Sequence, residues 1–250
     1  MKKTKIKVII DGKEYTQQSL EKIYIDRCYD TLHELKKLGA KLFDIQGKEI
    51  AASEIDILSP ENVRSILLSN KLRIGKDELN RLYDEQYRQA DKMWTEIIAK
   101  SDGDYSKKAA RAHIIVTGLT FSKYLKIIAS AIKVRKFLLA MHPDHIDATM
   151  TSVTEIMGMY GKPTQMIGKL KEPAPAPTDK EHNLRLIGSS FLTSSPSKKN
   201  AVAMHQVKKI KGGIDMLAGA YFPSATPQEL VDGHSIHMAL EISNIFKNVM

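Results

Sequence analysis

Two pairs of histidines, each spaced three residues apart, are the part of this sequence best suited to chemistry. The first pair is His142 and His145, and the second is His234 and His237, with Glu241 four residues further on. Helical positions i, i+3 and i+7 share one face, so two imidazoles and a carboxylate could converge on one metal ion. With the first pair alongside, four or five ligands would be available. The five residues define a candidate metal site that could polarise a bound water for hydrolysis.

Both pairs also have an ordinary structural interpretation. Histidines three residues apart arise often by chance on helix surfaces. Pro143 favours a turn at the first pair, where Asp144 or Asp147 could cap a following helix. The sequence therefore leaves open whether either pair binds a metal.

No other catalytic motif stands out. The sequence lacks a Gly-x-x-x-x-Gly-Lys-Ser/Thr loop, a Gly-x-Gly-x-x-Gly fingerprint and a Gly-x-Ser-x-Gly elbow. Cys28 is the single cysteine, which excludes an intramolecular disulfide and suits a reducing compartment. His33 lies about 140° around a helix from Cys28 and is poorly aligned to activate it. We assign no catalytic residue and predict no cofactor.

Positive charge is concentrated in the second half of the chain. The formal net charge is +9, yet residues 1–104 are neutral overall. Between Tyr105 and Pro143 there is no acidic residue and there are eight cations. A field of one sign attracts the opposite sign, so this segment is expected to meet a polyanion. The predicted partner-binding residues are Lys107, Lys108, Arg111, Lys123, Lys126, Lys133 and Lys136.

Residues 107–141 are predicted to form one long helix, or two joined near Gly118. Between Phe121 and Met141 the aliphatic side chains fall on one side and the lysines on the other, with Arg135 inside the apolar stripe. Such a face could bind an acidic protein, nucleic-acid phosphates or an anionic membrane, or it could be the solvated side of a core helix.

Helical periodicity dominates most of the remaining sequence. Helices are predicted over residues 17–38, from Ser59-Pro60 to Asn70, over 77–100, and after the capping box Thr226-Pro227-Gln228-Glu229. The sequence pattern also predicts a helix over residues 198–211. Short strands are predicted only near the N-terminus, over residues 4–15 around an Asp11-Gly12 turn and over 41–52.

These elements predict a mostly helical α+β protein. We expect a small α+β unit over residues 1–57, a helical body over 58–171 and a helical C-terminal part over 184–250. The Pro-Ala-Pro-Ala-Pro run favours an extended backbone, so residues 172–183 are predicted to be a linker.

The leading functional hypothesis is a non-catalytic adaptor subunit of a larger hetero-complex, which contacts an acidic partner through its basic helix. A non-specific nucleic-acid-binding protein is the first alternative, and a metal-dependent hydrolase is the second. Because no apolar stretch reaches about 18 residues, no transmembrane segment is expected, and a cytoplasmic location is predicted.

Overall fold

An antiparallel sheet organises the chain. The computed structural model describes residues 4–131 and 133–247. Within these residues, nine strands form one sheet in the order β2-β1-β3-β9-β8-β7-β6-β5-β4, and every pairing is antiparallel. The strands are β1 (Lys5–Ile10), β2 (Lys13–Tyr15), β3 (Lys108–Thr117), β4 (His145–Ala148), β5 (Ser152–Ile156), β6 (Pro163–Leu170), β7 (Leu184–Leu192), β8 (Ser195–Ile210) and β9 (Gly213–Phe222).

Six α-helices accompany the sheet in the described part of the chain. They are α1 (Gln17–Lys37), α2 (Pro60–Ile74), α3 (Lys76–Lys100), α4 (Phe121–Ala131), α5 (Arg135–Met141) and α6 (Gln228–Lys247). The α6 helix packs against β3 and β9, and α4 and α5 pack against α6. The α1 helix packs on α2 and is tied to this layer by a hydrogen bond from the Tyr24 hydroxyl to the Ala140 carbonyl.

The prediction of a mostly helical protein was wrong. Strands account for 30% of the chain, and one sheet runs through regions that had been expected to be helical. Strands β3 to β6 lie within residues 58–171, and strands β7 to β9 lie within 184–250. Residues 198–211 fall largely in β8, and residues 107–141 contain β3 followed by α4 and α5.

Burial explains why β3 is a strand. Its side chains alternate between core and periphery, with Ala110, Ala112, Ile114 and Val116 buried. This period of two fits one covered face of a sheet. No glycine or proline lies within β3. Its cationic residues obscure, in the sequence, the alternation of buried and less buried positions.

Four helices and the first hairpin were predicted correctly. Helix α1 begins after Thr16, whose hydroxyl oxygen accepts a hydrogen bond from the Ser19 N–H. Helix α2 begins at Pro60, the first helical position. Strands β1 and β2 pair around the expected Asp11-Gly12 turn. The second predicted hairpin, over residues 41–52, is reduced to one bridge between Phe43 and Glu49.

Residues 172–183 connect β6 to β7, which pair with each other. Ala176 in this segment packs against Met204 and Tyr221, away from the main core. We call residues 172–183 the Pro-Ala segment. In the described chain, no helix combines the length and apolarity needed to span a bilayer.

A close backbone contact fixes α6 beside the turn that follows β5. A Cβ atom built on Gly233 would lie 1.9 Å from the Gly158 carbonyl oxygen. A Cβ atom on Gly158, whose φ is +63°, would lie 2.2 Å from the Leu230 carbonyl oxygen. Only glycine permits this approach at either position.

Candidate metal centre

Three neighbouring elements bring four ionisable side chains together beneath the sheet. His145 is the first residue of β4, and Glu155 lies opposite it on β5 as its paired residue. His237 and Glu241 lie one turn apart on α6. The side chains of His145, His237 and Glu155 are at most 9% exposed, whereas that of Glu241 is 30% exposed. The site is therefore enclosed on all sides but that of Glu241.

The ring nitrogens and carboxylate oxygens of these four residues lie close together but do not form well-aligned hydrogen bonds. His145 Nε2 lies 3.2 Å from Glu155 Oε2 and 3.9 Å from Glu241 Oε1, and His237 Nε2 lies 3.6 Å from Glu155 Oε2. Among the described residues, neither His145 Nε2 nor either nitrogen of His237 makes a hydrogen bond. Buried polar atoms without partners are uncommon in proteins, so these nitrogens need an explanation.

A hydrogen bond on the side of the ring away from the carboxylates fixes the orientation of His145. Its Nδ1 lies 2.7 Å from the Leu138 carbonyl oxygen, which can only accept a hydrogen bond. Nδ1 therefore carries a proton, and in the neutral ring Nε2 presents its lone pair to the two carboxylates. A histidine held in this way, with its free nitrogen turned inward, has the arrangement of a metal ligand.

In the absence of a cation, a proton on His145 offsets the carboxylates. Burial alone would lower the pKa of His145, but Glu155 and Glu241 outweigh it and raise the pKa to about 9. Burial alone would raise the pKa of Glu155, but His237 and His145 hold it well below its usual value. Burial raises the pKa of Glu241. The site thus favours a positive charge between its two carboxylates.

His142 and His234 extend the cluster as a stack on His237. The rings of His142 and His237 are 3.8 Å apart and 13° from parallel, and those of His234 and His237 are 5.1 Å apart and 17° from parallel. Burial lowers the pKa of His142 well below its usual value, and that of His234 to about 3. Both rings are neutral at physiological pH.

A second group, formed by His142, Asp144 and His237, is also close enough to share an ion. However, His142 Nδ1 accepts a hydrogen bond from the Asp144 N–H. One Asp144 oxygen accepts hydrogen bonds from Arg27 at 2.6 and 3.2 Å. His142 Nε2 and the other Asp144 oxygen lack partners among the described residues, but Arg27 already balances the charge of Asp144. The group of His145, His237 and Glu241, with Glu155 beside it, is therefore the better cation site.

A buried lysine shapes the turn that carries the first histidine pair. Lys71 is 1% exposed, and its ammonium group donates hydrogen bonds to the carbonyls of Pro143 and His145. Burial lowers the pKa of Lys71 to about 8. These bonds hold residues 142–145 in the conformation that points His145 at α6.

Two cavities open onto this cluster from the covered face of the sheet. A cavity of about 380 Å³ lies between strands β7–β9 and helices α4 and α6, and Glu241 lines it. A cavity of about 240 Å³ lies over β5–β8, and Glu155 and His234 line it. Leu186 and His205 border both cavities.

The structure brings together most of the residues predicted from the histidine spacing. His145, His237 and Glu241 lie within one group of potential ligands, and His142 and His234 stack beside it. Sequence analysis missed Glu155. The one available signal was a carboxylate inside the otherwise uncharged strand Ser152–Ile156.

The predicted partner-binding cations are divided between several elements. Lys123 and Lys126 lie on α4, Lys136 lies on α5, and Lys133 lies between the two helices. Lys107 pairs with Asp102 and Asp104, Lys108 donates a hydrogen bond to Gln228, and the Arg111 guanidinium lies 5.9 Å from the Tyr221 ring centre. In the described residues, Lys123, Lys126, Lys133 and Lys136 form no ion pair.

Cys28 is buried in the core, and burial raises its pKa to about 12. Its thiol is therefore protonated and unsuited to nucleophilic attack. Comparison with known proteins adds no assignment, since no protein-family model and no curated protein matches the chain. Function must be inferred from the site itself.

Proposed function

We propose that the protein binds a divalent transition-metal ion, zinc above all, through His145, His237 and Glu241, with Glu155 beside them, and that it is a metal-dependent hydrolase. The observation that carries this proposal is the convergence of two imidazoles and two carboxylates beside a cavity that Glu241 lines. Mixed nitrogen and oxygen ligands suit zinc and its neighbours better than calcium or magnesium.

The distances support a small ion. Bonds of about 2.0–2.1 Å in a tetrahedron place neighbouring donor atoms about 3.3 Å apart. The nitrogen–oxygen distances across this cluster are 3.2, 3.6 and 3.9 Å. Two carboxylates and two neutral imidazoles carry a charge of −2, which a divalent ion neutralises. The ion would take the place of the proton on His145.

The residues have distinct roles in this proposal. A bound ion supplies Lewis acidity, which lowers the pKa of a water molecule next to it. His145, His237 and Glu241 would hold the ion, which leaves a fourth position for water beside the cavity that Glu241 lines. Glu155 lies within 3.6 Å of both histidines and supplies the second negative charge. The apolar cavity walls exclude bulk water from the bond to be hydrolysed.

Metal content and affinity test this proposal. We expect the metal-free protein to bind one equivalent of zinc, and His237→Ala to weaken binding by at least 100-fold, measured by titration calorimetry and elemental analysis. His33→Ala is the matched control, since His33 is 41% exposed and paired with Asp56 away from the cluster. Failure to bind any transition metal stoichiometrically would remove the proposal.

A second candidate function is an adaptor that binds an acidic protein. It is supported by the absence of ion pairs at Lys123, Lys126, Lys133 and Lys136 among the described residues. Such cations would steer a negatively charged partner, and association should slow as salt increases. Replacing all four by glutamine should abolish capture of the partner at low salt. A high ratio of absorbance at 260 nm to 280 nm would instead favour nucleic acid.

A further inference from the structure

Small side chains line part of the covered face of the sheet next to the candidate metal centre. The lining of the cavity over β5–β8 includes Gly168, Gly188, Ala201, Ala203 and Ala220, beside larger residues such as Met157, Met166 and Leu186. Larger side chains at Ala201, Ala203 and Ala220 would reduce this volume. Small residues on β8 and β9 therefore help to keep it open.

The larger cavity is mostly apolar. Leu125, Leu184 and Leu186 line it and are 44%, 39% and 51% exposed. Tyr124, Ile128 and Ile245 line its interior. A volume of about 380 Å³ lies in the usual range for small-molecule sites, which are mostly apolar with a few polar groups.

One polar side chain stands where the two cavities meet. His205, on β8, borders both of them, and its Nδ1 is buried with no hydrogen-bond partner among the described residues. Burial lowers the pKa of His205 to about 4, so its ring is neutral. Because Nδ1 is out of reach of solvent, the ring would offer an occupant one hydrogen bond through Nε2, without a charge.

The charged groups around the cavities do not favour a net charge on the occupant. Glu241 and Arg185 line one cavity, and Glu155 and Lys169 line the other. Arg185 donates to the Asp179 carbonyl and the Lys169 ammonium lies 4.4 Å from the Phe191 ring centre, but each keeps its positive charge. Each lining therefore holds one carboxylate and one cation, which suits an uncharged occupant.

We propose that the joined cavities bind an uncharged, largely apolar small molecule with a hydroxyl or carbonyl oxygen, which His205 holds by a hydrogen bond beside the metal centre. This names the substrate class of the proposed hydrolase and rests on that function for the reaction. Binding itself does not need the ion. His205 is a positioning residue, because it is not among the proposed ligands.

Two fluorescent molecules that differ by one sulfonate test the charge preference. N-phenyl-1-naphthylamine is uncharged, and 8-anilino-1-naphthalenesulfonate is an anion on the same skeleton. In metal-free protein with chelator, we expect the neutral molecule to bind at least tenfold more tightly. Equal or tighter binding of the sulfonate would overturn the proposal.

Cavity-filling variants locate the binding. Ala203→Leu should weaken the neutral probe at least tenfold, whereas Ala99→Leu, on the exposed side of α3, should not change it. Leu186→Glu provides a second test at a half-exposed position that tolerates change, and it should also weaken the probe. Unchanged probe affinity in both cavity variants would place the binding elsewhere and refute the proposal.

A competition experiment tests His205. In the wild type, 1-naphthol should displace the neutral probe more effectively than naphthalene does, because it has a hydroxyl group. His205→Phe should remove this preference while retaining naphthalene binding and the zinc stoichiometry. A preference that survives the substitution would exclude His205. Zinc binding without probe binding refutes only the cavity, and probe binding without zinc refutes only the metal function.

Discussion

Histidines and carboxylates lie close together on both sides of the sheet, with different outcomes. Near the Pro-Ala segment, His113 Nε2 lies 2.7 Å from Asp215 Oδ1, and His182 Nδ1 lies 2.9 Å from Asp179 Oδ1. Both are hydrogen bonds, although the buried His182 Nε2, 3.3 Å from Asp215 Oδ1, lacks a hydrogen-bond partner among the described residues. Beneath the sheet, the corresponding distances are 3.2–3.9 Å, and the nitrogens of His145 and His237 that face the carboxylates lack hydrogen-bond partners within the described chain.

The difference teaches how to separate a structural cluster from a binding cluster. A carboxylate at hydrogen-bond distance satisfies one nitrogen of the histidine that it contacts. Buried side chains that lie slightly further apart leave room for an ion between them. A hydrogen bond to the opposite side of the ring, as at His145 Nδ1, keeps the free nitrogen pointing into that space. Histidines and carboxylates therefore form a structural cluster on one face of the sheet and a candidate ion-binding cluster on the other.

The largest expected effect concerns the carboxylates of the two clusters. In metal-free protein, Glu155→Ala removes the buried partner of two histidines and should lower the free energy of unfolding by about 3 kcal/mol. Asp215→Ala, whose carboxylate is 20% exposed, should cost less than about 1 kcal/mol. Urea denaturation measures both. Equal losses at the two positions would mean that the clusters are energetically alike.

A smaller effect should appear as a pH dependence of the metal-free protein. Folding raises the pKa of His145 to about 9 from an unfolded value near 6.5. The resulting stabilisation is complete below about pH 6.5 and is lost as the pH rises to about 9, with an amplitude on the order of 2 kcal/mol. Urea midpoints between pH 6 and 9.5 measure this loss. His145→Gln should flatten it, and His113→Gln should not.

The smallest effect is expected at Asp179. Its Oδ1 accepts hydrogen bonds from the backbone N–H groups of Glu181 and His182 and lies beside the His182 ring. Because the carboxylate is exposed, Asp179→Asn should change global stability by less than about 1 kcal/mol. It should instead speed limited proteolysis within the Pro-Ala segment. A large global loss with no local change would show that this segment is part of the core.

Local signals predicted the helices and part of the site, whereas the sheet required information from distant residues. The ends of α1 and α2 follow from Thr16 and from Ser59-Pro60, which act within one turn. Strands β3 and β8 carry lysines and alanines, and their register is set by β9, which pairs with both and lies far away in sequence from β3. Periodicity between residues 121 and 141 correctly marked helix but did not separate α4 from α5.

The histidine spacing predicted ligands on α6, because residues one turn apart on a helix share a face whatever the fold. The spacing could not identify Glu155, because nothing in the local sequence shows that β5 lies beside α6. Five ligands were expected from the two pairs. Instead, His142 and His234 lie in the ring stack, and β5 supplies the additional carboxylate.

The contact between Gly158 and Gly233 has a consequence for the ion selectivity of the proposed metal centre. One glycine follows β5 by two residues, and the other precedes His237 by four, so their contact sets how far Glu155 stands from α6. A methyl group at either position would wedge the helix outward and widen the coordination sphere toward ions of larger radius, such as cadmium. The preference for a particular element would then depend on two residues that never touch it.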